Sequence, residues 1–424
     1  MILSLASYTG LRFGYPSSHA GKRGETIRSA GCIFSAESGI FGGMTWILVL
    51  LGVFLIFAGI ADVFLTVLHY DGFGFLSGRL YRILFSSMRF LTRAMPRKAR
   101  ALGLSLVAPL MVPAIFTVWM ILEITGFAFL YYAGMNEQTF NFSNPGLKPS
   151  FAAALYMSGT AIPTLGFGDV TPTSGVYQIL AISESLVGFG ILTLAVTYLI
   201  GVYGVLQQLG VLAAGLFHQA SDTGDPLSIL APHFPAGEPR ELETHVMALH
   251  RGLVEVYEGV RRYPIVYYYH SRRAYRSLPY TFRMMGGMAA ALRWGLPAGH
   301  PGSLTPWLPT LITGLDTITA YLDKRFLSAH LEGAPKLVPF ETFEAVLTQA
   351  KEPPDRWLAR FLEVEGAMRE LARIEEALDP KEAYSRYTDW LPFAHRIRAF
   401  YEASAKDLGY ELEDLTREPG KRLF

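Results

Sequence analysis

Thr164, Leu165, Gly166, Phe167, Gly168 and Asp169 form the hexamer TLGFGD, inside the stretch SGTAIPTLGFGDVTP. Their types permit one particular chemistry. Glycine at Gly166 and Gly168 allows positive φ, so successive carbonyls can be turned toward one side of the chain. A ring of such carbonyls replaces the hydration shell of a dehydrated cation. Thr164 adds its carbonyl and a hydroxyl at the inner end. The competing explanation is an ordinary glycine-rich turn in a loop, and the elements on either side decide between the two.

Before the hexamer runs NPGLKPSFAAALYMSGTAIP, in which Pro149 and Ser150 supply a helix start. The apolar helix FAAALYMSGTAI has about three turns, too short to cross a hydrocarbon core of about 30 Å, so it must enter the membrane and return. Backbone at that depth without helical hydrogen bonds is tolerated only where protein encloses it or where it lines a cavity. The helix also turns its partially negative C-terminus toward the membrane centre, which favours a cation there.

Three longer apolar runs frame this segment. Residues 45–68 carry one charge, Asp62; residues 104–133 carry Glu123 and two prolines, Pro109 and Pro113; residues 176–206 carry Glu184. Each is long enough to span. An acid in such a run is costly in lipid and is expected to face protein or water. Glu184, near the level of the hexamer, is expected to bond to the short helix as a structural contact, with a proton sensor as the alternative. The composition agrees, with 51% hydrophobic and 17% charged residues, where soluble domains have roughly 25% charged.

A net charge of +1 gives no reason to expect a nucleic-acid partner. Cys32 is the only cysteine, so there is no internal disulfide and no cysteine-based zinc site. The ten histidines show no metal-ligand spacing, and His245 and His250 would lie on different helix faces. No GxSxG, HExxH, P-loop or dinucleotide fingerprint is present, so the chain does not read as an enzyme and no cofactor is expected. Alternating-access carriers show repeats or broken helices, and neither is visible.

Between the first two spans, GRLYRILFSSMRFLTRAMPRKAR holds Arg79, Arg82, Arg89, Arg93, Arg97, Lys98 and Arg100. That excess of positive charge predicts a cytoplasmic loop, an outside N-terminus and a cytoplasmic C-terminal half in a plasma-membrane protein. Arg79, Arg82, Arg89 and Arg93 share a helical face opposite Leu80, Ile83, Leu84, Phe90 and Leu91. A helix lying in the membrane interface fits better than a voltage sensor, which needs more partner helices than the single preceding span provides.

From Phe217 the chain turns polar. Leu242, Val246, Leu249, Leu253, Val256, Val260 and Tyr263 recur at steps of four and three, and Trp357, Phe361, Val364, Met368, Leu371 and Leu378 follow nearly the same rule. Such seams suit a helical bundle core or an intersubunit coiled coil. Other helices are expected around 303–330 and 381–408, and no strand is expected in this half.

The segment from Ser158 to Pro172, with its flanking spans over about 104–206, resembles the pore of tetrameric potassium channels, whose filter is commonly written T-V-G-Y-G-D. Here Leu165 replaces Val and Phe167 replaces Tyr. The resemblance implies a homotetramer in membrane lipid, with K⁺ held by carbonyls of Thr164, Leu165, Gly166 and Phe167, and with Gly168 and Asp169 at the outer mouth. It also implies a gating hinge at Gly188, although close helix packing explains that glycine equally well. Phe189, Leu192 and Val196 fall at the spacing of a cavity-lining face, and Tyr156, Thr160 and Glu184 are expected to support the filter. Pro163 lacks an N–H where the family often has threonine, so the helix end must pack differently.

The chain therefore reads as an all-α membrane protein. Residues 1–43 are expected to be poorly ordered, with Met44 as an alternative start. Residues 44–103 hold the first span and the basic interfacial helix, 104–216 the pore, and 217–424 a helical cytoplasmic domain that takes an unidentified ligand or protein partner or merely assembles the tetramer. The alternatives are a nonselective cation channel, or a membrane sensor or scaffold whose C-terminal half is the main functional part.

Overall fold

The structure, a computed structural model, describes residues 41–72, 74–144, 146–222, 224–327, 333, 335–349 and 351–416, with backbone alone at 41–44. It divides into two units, Met1–Ile47 and Leu48–Phe424. Apart from Phe41–Gly43, the segment expected to be poorly ordered lies outside the described residues.

Among the described residues three helices are long and apolar enough to cross a membrane, as the sequence predicts. The first, α1 (Phe41–Val63), continues through a single π turn, Phe64–Leu68. Asp62 near its end faces protein: its Oδ1 accepts from the Leu76 N–H at 2.8 Å and its Oδ2 from the Trp119 indole N–H at 2.9 Å. The carboxylate thereby caps the helix that follows and holds the second span.

That following helix, α2 (Phe75–Thr92), has three faces where the sequence predicts two. Ser77, Tyr81, Phe85 and Thr92 are buried, while Ile83, Phe90 and Leu91 are exposed and available to lipid. The arginine face is partly used by the C-terminal half, since Arg89 pairs with Asp407 at 2.8 Å and Asp407 also accepts from the Tyr267 hydroxyl at 2.9 Å.

The second span, α3 (Arg97–Tyr132), starts before the predicted residue 104 and stays helical through Pro109 and Pro113. Its Gly126 meets Gly52 of α1 so closely that a Cβ on either would fall within 3 Å of the other's carbonyl oxygen, as small residues allow between membrane helices. The short α4 (Phe151–Ala161) begins at Ser150, whose hydroxyl accepts from the Ala153 N–H at 3.2 Å. At 11 residues it is about 16 Å long and cannot cross the bilayer.

The third span, α5 (Gly175–Gln219), is one helix of 45 residues, about 68 Å long, and continues well past the predicted end at 206. The reason is a change of solvent rather than a break. Tyr198, Val202, Val205, Leu209, Ala213 and Leu216 keep an apolar stripe that is buried against the C-terminal bundle, while Gln207, Gln208, His218 and Gln219 are exposed. An antiparallel ladder that the sequence does not signal, β1 (Phe140–Phe142) with β2 (Val170–Pro172), pairs Phe140 with Pro172 and Phe142 with Val170.

The C-terminal bundle comprises α6 (Leu242–Arg262), α7 (Leu278–Trp294), α8 (Leu308–Phe326), α9 (Phe340–Thr348), α10 (Arg356–Leu371), α11 (Pro380–Leu408) and α12 (Leu412–Thr416). No strand occurs among its described residues. The seam of α6 is buried within the protomer from Leu242 to Val260, and so are Trp357, Phe361, Val364 and Met368 of α10, which makes both seams bundle core and not an intersubunit coil. At the centre lies α7, buried on nearly every side, with Gly286 admitting Ile397 of α11.

Candidate ion pathway

The backbone after α4 alternates in hand. Thr164, Gly166 and Gly168 have φ of 60°, 55° and 83°, while Leu165 and Phe167 between them stay at negative φ. Glycine predicts two of these positions. Thr164 is the third, and a non-glycine residue there stores roughly 1–2 kcal/mol of strain. Alternation of this kind points consecutive carbonyls to one side, whereas a strand would point them to both.

The amide hydrogens are turned the other way. Leu165 and Gly166 both donate to the Thr160 carbonyl, at 2.9 and 3.1 Å, and Thr164 donates to the Ala161 carbonyl at 3.0 Å. Among the described residues nothing donates to the carbonyls of Thr164, Leu165, Gly166 or Phe167. All of residues 164–168 are exposed on the protomer, including the side chains of Leu165 and Phe167. Pro163 fits because the end of α4 is closed by the N–H groups of the residues after it.

Behind this stretch the expected support is partly present. The Tyr156 hydroxyl donates to Asp169 Oδ2 at 2.7 Å. The Thr160 hydroxyl does not join them. It donates to the Met157 carbonyl at 2.9 Å, and the residue serves the hexamer through its carbonyl instead. On the outer side the Asp169 carbonyl accepts from the Ser143 N–H at 2.9 Å, so the β1–β2 ladder runs directly into the mouth of the hexamer.

Glu184 is fully buried where α3, α4 and α5 meet. It bonds to the short helix through the Ser158 hydroxyl, and its Oε2 accepts from the Tyr131 hydroxyl at 2.5 Å. Neither Ser158 nor Tyr131 was singled out from the sequence. The available signal was the cost of a carboxylate in lipid, which demands a donor on each adjacent helix. Glu123 is also fully buried, and among the described residues no donor reaches its oxygens, one of which occupies the space left by the missing side chain of Gly59.

Gly188 is buried in an unbroken helix, and a Cβ there would collide with the Ile162 carbonyl at the end of α4. The contact matches the close-packing explanation of this glycine. Phe189, Leu192 and Val196 are all at least half exposed on the protomer. Among the described residues no group of three or more His, Cys, Asp or Glu converges to hold a metal.

Residues 114–204 match the model of a family described as “Ion channel”. The match starts within α3 and ends within α5, and this part of the chain is an ion-channel domain of the two-helix, pore-loop kind. An uncharacterized membrane protein, YdjJ of Bacillus subtilis (strain 168), is 23% identical over 250 residues, which is 59% of this chain and 70% of that protein. No solved structure matches.

Proposed function

We propose that the protein conducts K⁺ passively through a pore shared by four copies of the chain. One observation carries this reading: a run of four carbonyls, Thr164 to Phe167, that no donor among the described residues reaches, on backbone of alternating hand, directly after a helix too short to cross a bilayer. A single protomer offers such carbonyls on one side only. Closed rotational symmetry turns one side into a ring, and the ring supplies oxygens in place of a cation's water. Phe189, Leu192 and Val196, exposed on the protomer, then line the cavity on the inner side.

The basic segment 79–100 sets the orientation, with the bundle in the cytoplasm and the 134–147 connection outside, in the plasma membrane. The bundle's role is to position α5, since its buried stripe continues the pore helix without a joint. A nonselective cation channel is the second reading, favoured by Phe167: with no hydroxyl, it leaves Tyr156 as the aromatic residue that hydrogen-bonds behind the filter.

The full-length protein in liposomes with opposed K⁺ and Na⁺ gradients tests the two. The expected reversal potential lies close to that of K⁺. A potential near zero with flux present supports the nonselective reading, and persistence of that flux in Gly166→Ala, where φ must stay positive, would reject the pathway itself.

A further inference from the structure

We infer that the turn before α7 and the basic end of α3 form a binding site for the phosphate of an anionic phospholipid, in the leaflet that faces the C-terminal bundle. Ser105 of α3 and Ser271, Arg272, Arg273 and Arg276 line an open cleft of about 580 Å³. The three arginines are exposed, and among the described residues none of them has a carboxylate partner. The neighbouring cations differ. Arg97 reaches Asp414 at 3.3 Å, Arg100 reaches Glu411 at 3.1 Å, and Arg89 reaches Asp407 at 2.8 Å. Acids are thus close at hand but are used by other arginines, which leaves this cleft with uncompensated positive charge.

Two of the guanidinium groups are posed by one ring. Arg273 donates to the Tyr275 hydroxyl at 3.0 Å, and the Arg276 guanidinium lies 5.7 Å from the centre of the same ring. Tyr275 is itself stacked on Phe217 of α5, with centroids 4.1 Å apart. The donors therefore sit on a fixed platform, which lowers the ordering cost of a fork-shaped phosphate contact.

Depth selects a lipid over a soluble anion. The 36-residue α3 is about 54 Å long and exceeds the hydrocarbon core by about 24 Å. Ser105 lies two turns in from Arg97, a depth at which headgroups meet acyl chains. Beside it Leu102, Leu106 and Leu110 are exposed at steps of one turn, an apolar strip leading away from the arginines toward the membrane centre. A molecule with a phosphate at one end and an acyl chain at the other matches both surfaces.

The inference needs α3 to cross the membrane but does not depend on conduction, so its test avoids flux. The full-length protein in neutral detergent is titrated with phosphatidylglycerol, with phosphatidylcholine of the same chains, and with glycerol phosphate, while thermal unfolding is followed. Phosphatidylglycerol is expected to raise the midpoint saturably and the other two are not. The triple variant Arg272→Gln/Arg273→Gln/Arg276→Gln is expected to lose at least about tenfold in apparent affinity, whereas Arg93→Gln/Lys98→Gln keeps it. Should the triple variant fail to fold, Arg272→Gln/Arg276→Gln preserves the Arg273–Tyr275 contact and carries the same expectation. Equal shifts by phosphatidylcholine, an unchanged affinity in the arginine variants, or full replacement by glycerol phosphate would each overturn the assignment.

Discussion

Glu184 shows how one side chain fixes three helices. Its oxygens take hydroxyls from Ser158 of α4 and Tyr131 of α3, so the short helix before the hexamer is held from behind by a buried polar contact. Removing the acceptor leaves the buried Tyr131 hydroxyl unpaired, at roughly 1–3 kcal/mol, while the Ser158 hydroxyl keeps the Ile124 carbonyl at 3.0 Å. Glu184→Leu is therefore expected to lower the thermal midpoint of the full chain well below that of Glu184→Gln, whose amide oxygen still accepts. Identical unfolding of Glu184→Leu and wild type would show that the contact holds nothing. At this scale the sequence was informative wherever the membrane restricts choices. The acid at 184 stands out because lipid offers a carboxylate no partner, the glycines because they take positive φ freely, and Tyr156 through the family resemblance. The positive φ of Thr164 was not legible, since threonine carries no mark of it, and nothing in the sequence showed that Thr160 would support the hexamer through its carbonyl.

Between elements, the contact of α5 with α6 joins the ion-channel domain to the bundle. Gly259 of α6 lies against Val205, and a Cβ in its place would press on both Val205 methyl groups. Gly259→Leu is expected to push α6 off α5 at a cost of about 1–3 kcal/mol, with faster amide exchange along α6 and unchanged exchange in α4. Gly366→Ala in α10 serves as control: nothing lies within 4 Å of its added Cβ, so stability should hold or rise slightly. Unaltered exchange in Gly259→Leu would mean that the two helices do not depend on this crossing. The helices with a single buried stripe were legible, α6 and α10 above all. The most central one, α7, was not, because RMMGGMAAALRW is buried on nearly every side and leaves no period to read. The β1–β2 ladder has three residues a strand, too few for an alternation to register.

At the scale of the molecule, the bundle carries a pH limit. His270 is buried beneath Tyr410 with its Nδ1 at 3.0 Å from the Leu408 carbonyl. Burial, reinforced by the nearby Arg100 charge and opposed by the Leu408 bond, pushes its pKa from 6.5 down to about 4. Burial, with a smaller contribution from His233, also lowers His245 to about 4. A folded-state pKa below the unfolded one means that the unfolded chain takes up protons first. Stability is thus complete above about pH 6.5 and is lost as pH falls toward about 4, with His270 contributing on the order of 3 kcal/mol. Denaturation midpoints taken across that window should fall, and the fall should be shallower in His270→Gln; a flat profile would refute the role of burial. The unbroken α5 has a further meaning for inheritance. If four chains share one pore and the pore segment alone suffices for assembly, each bundle is fused by a continuous rod to the same axis, and a chain with an intact pore segment but a damaged bundle still enters the assembly. Such an allele would not be silent beside a healthy copy: it would poison mixed tetramers, making damage far from the pore dominant rather than recessive.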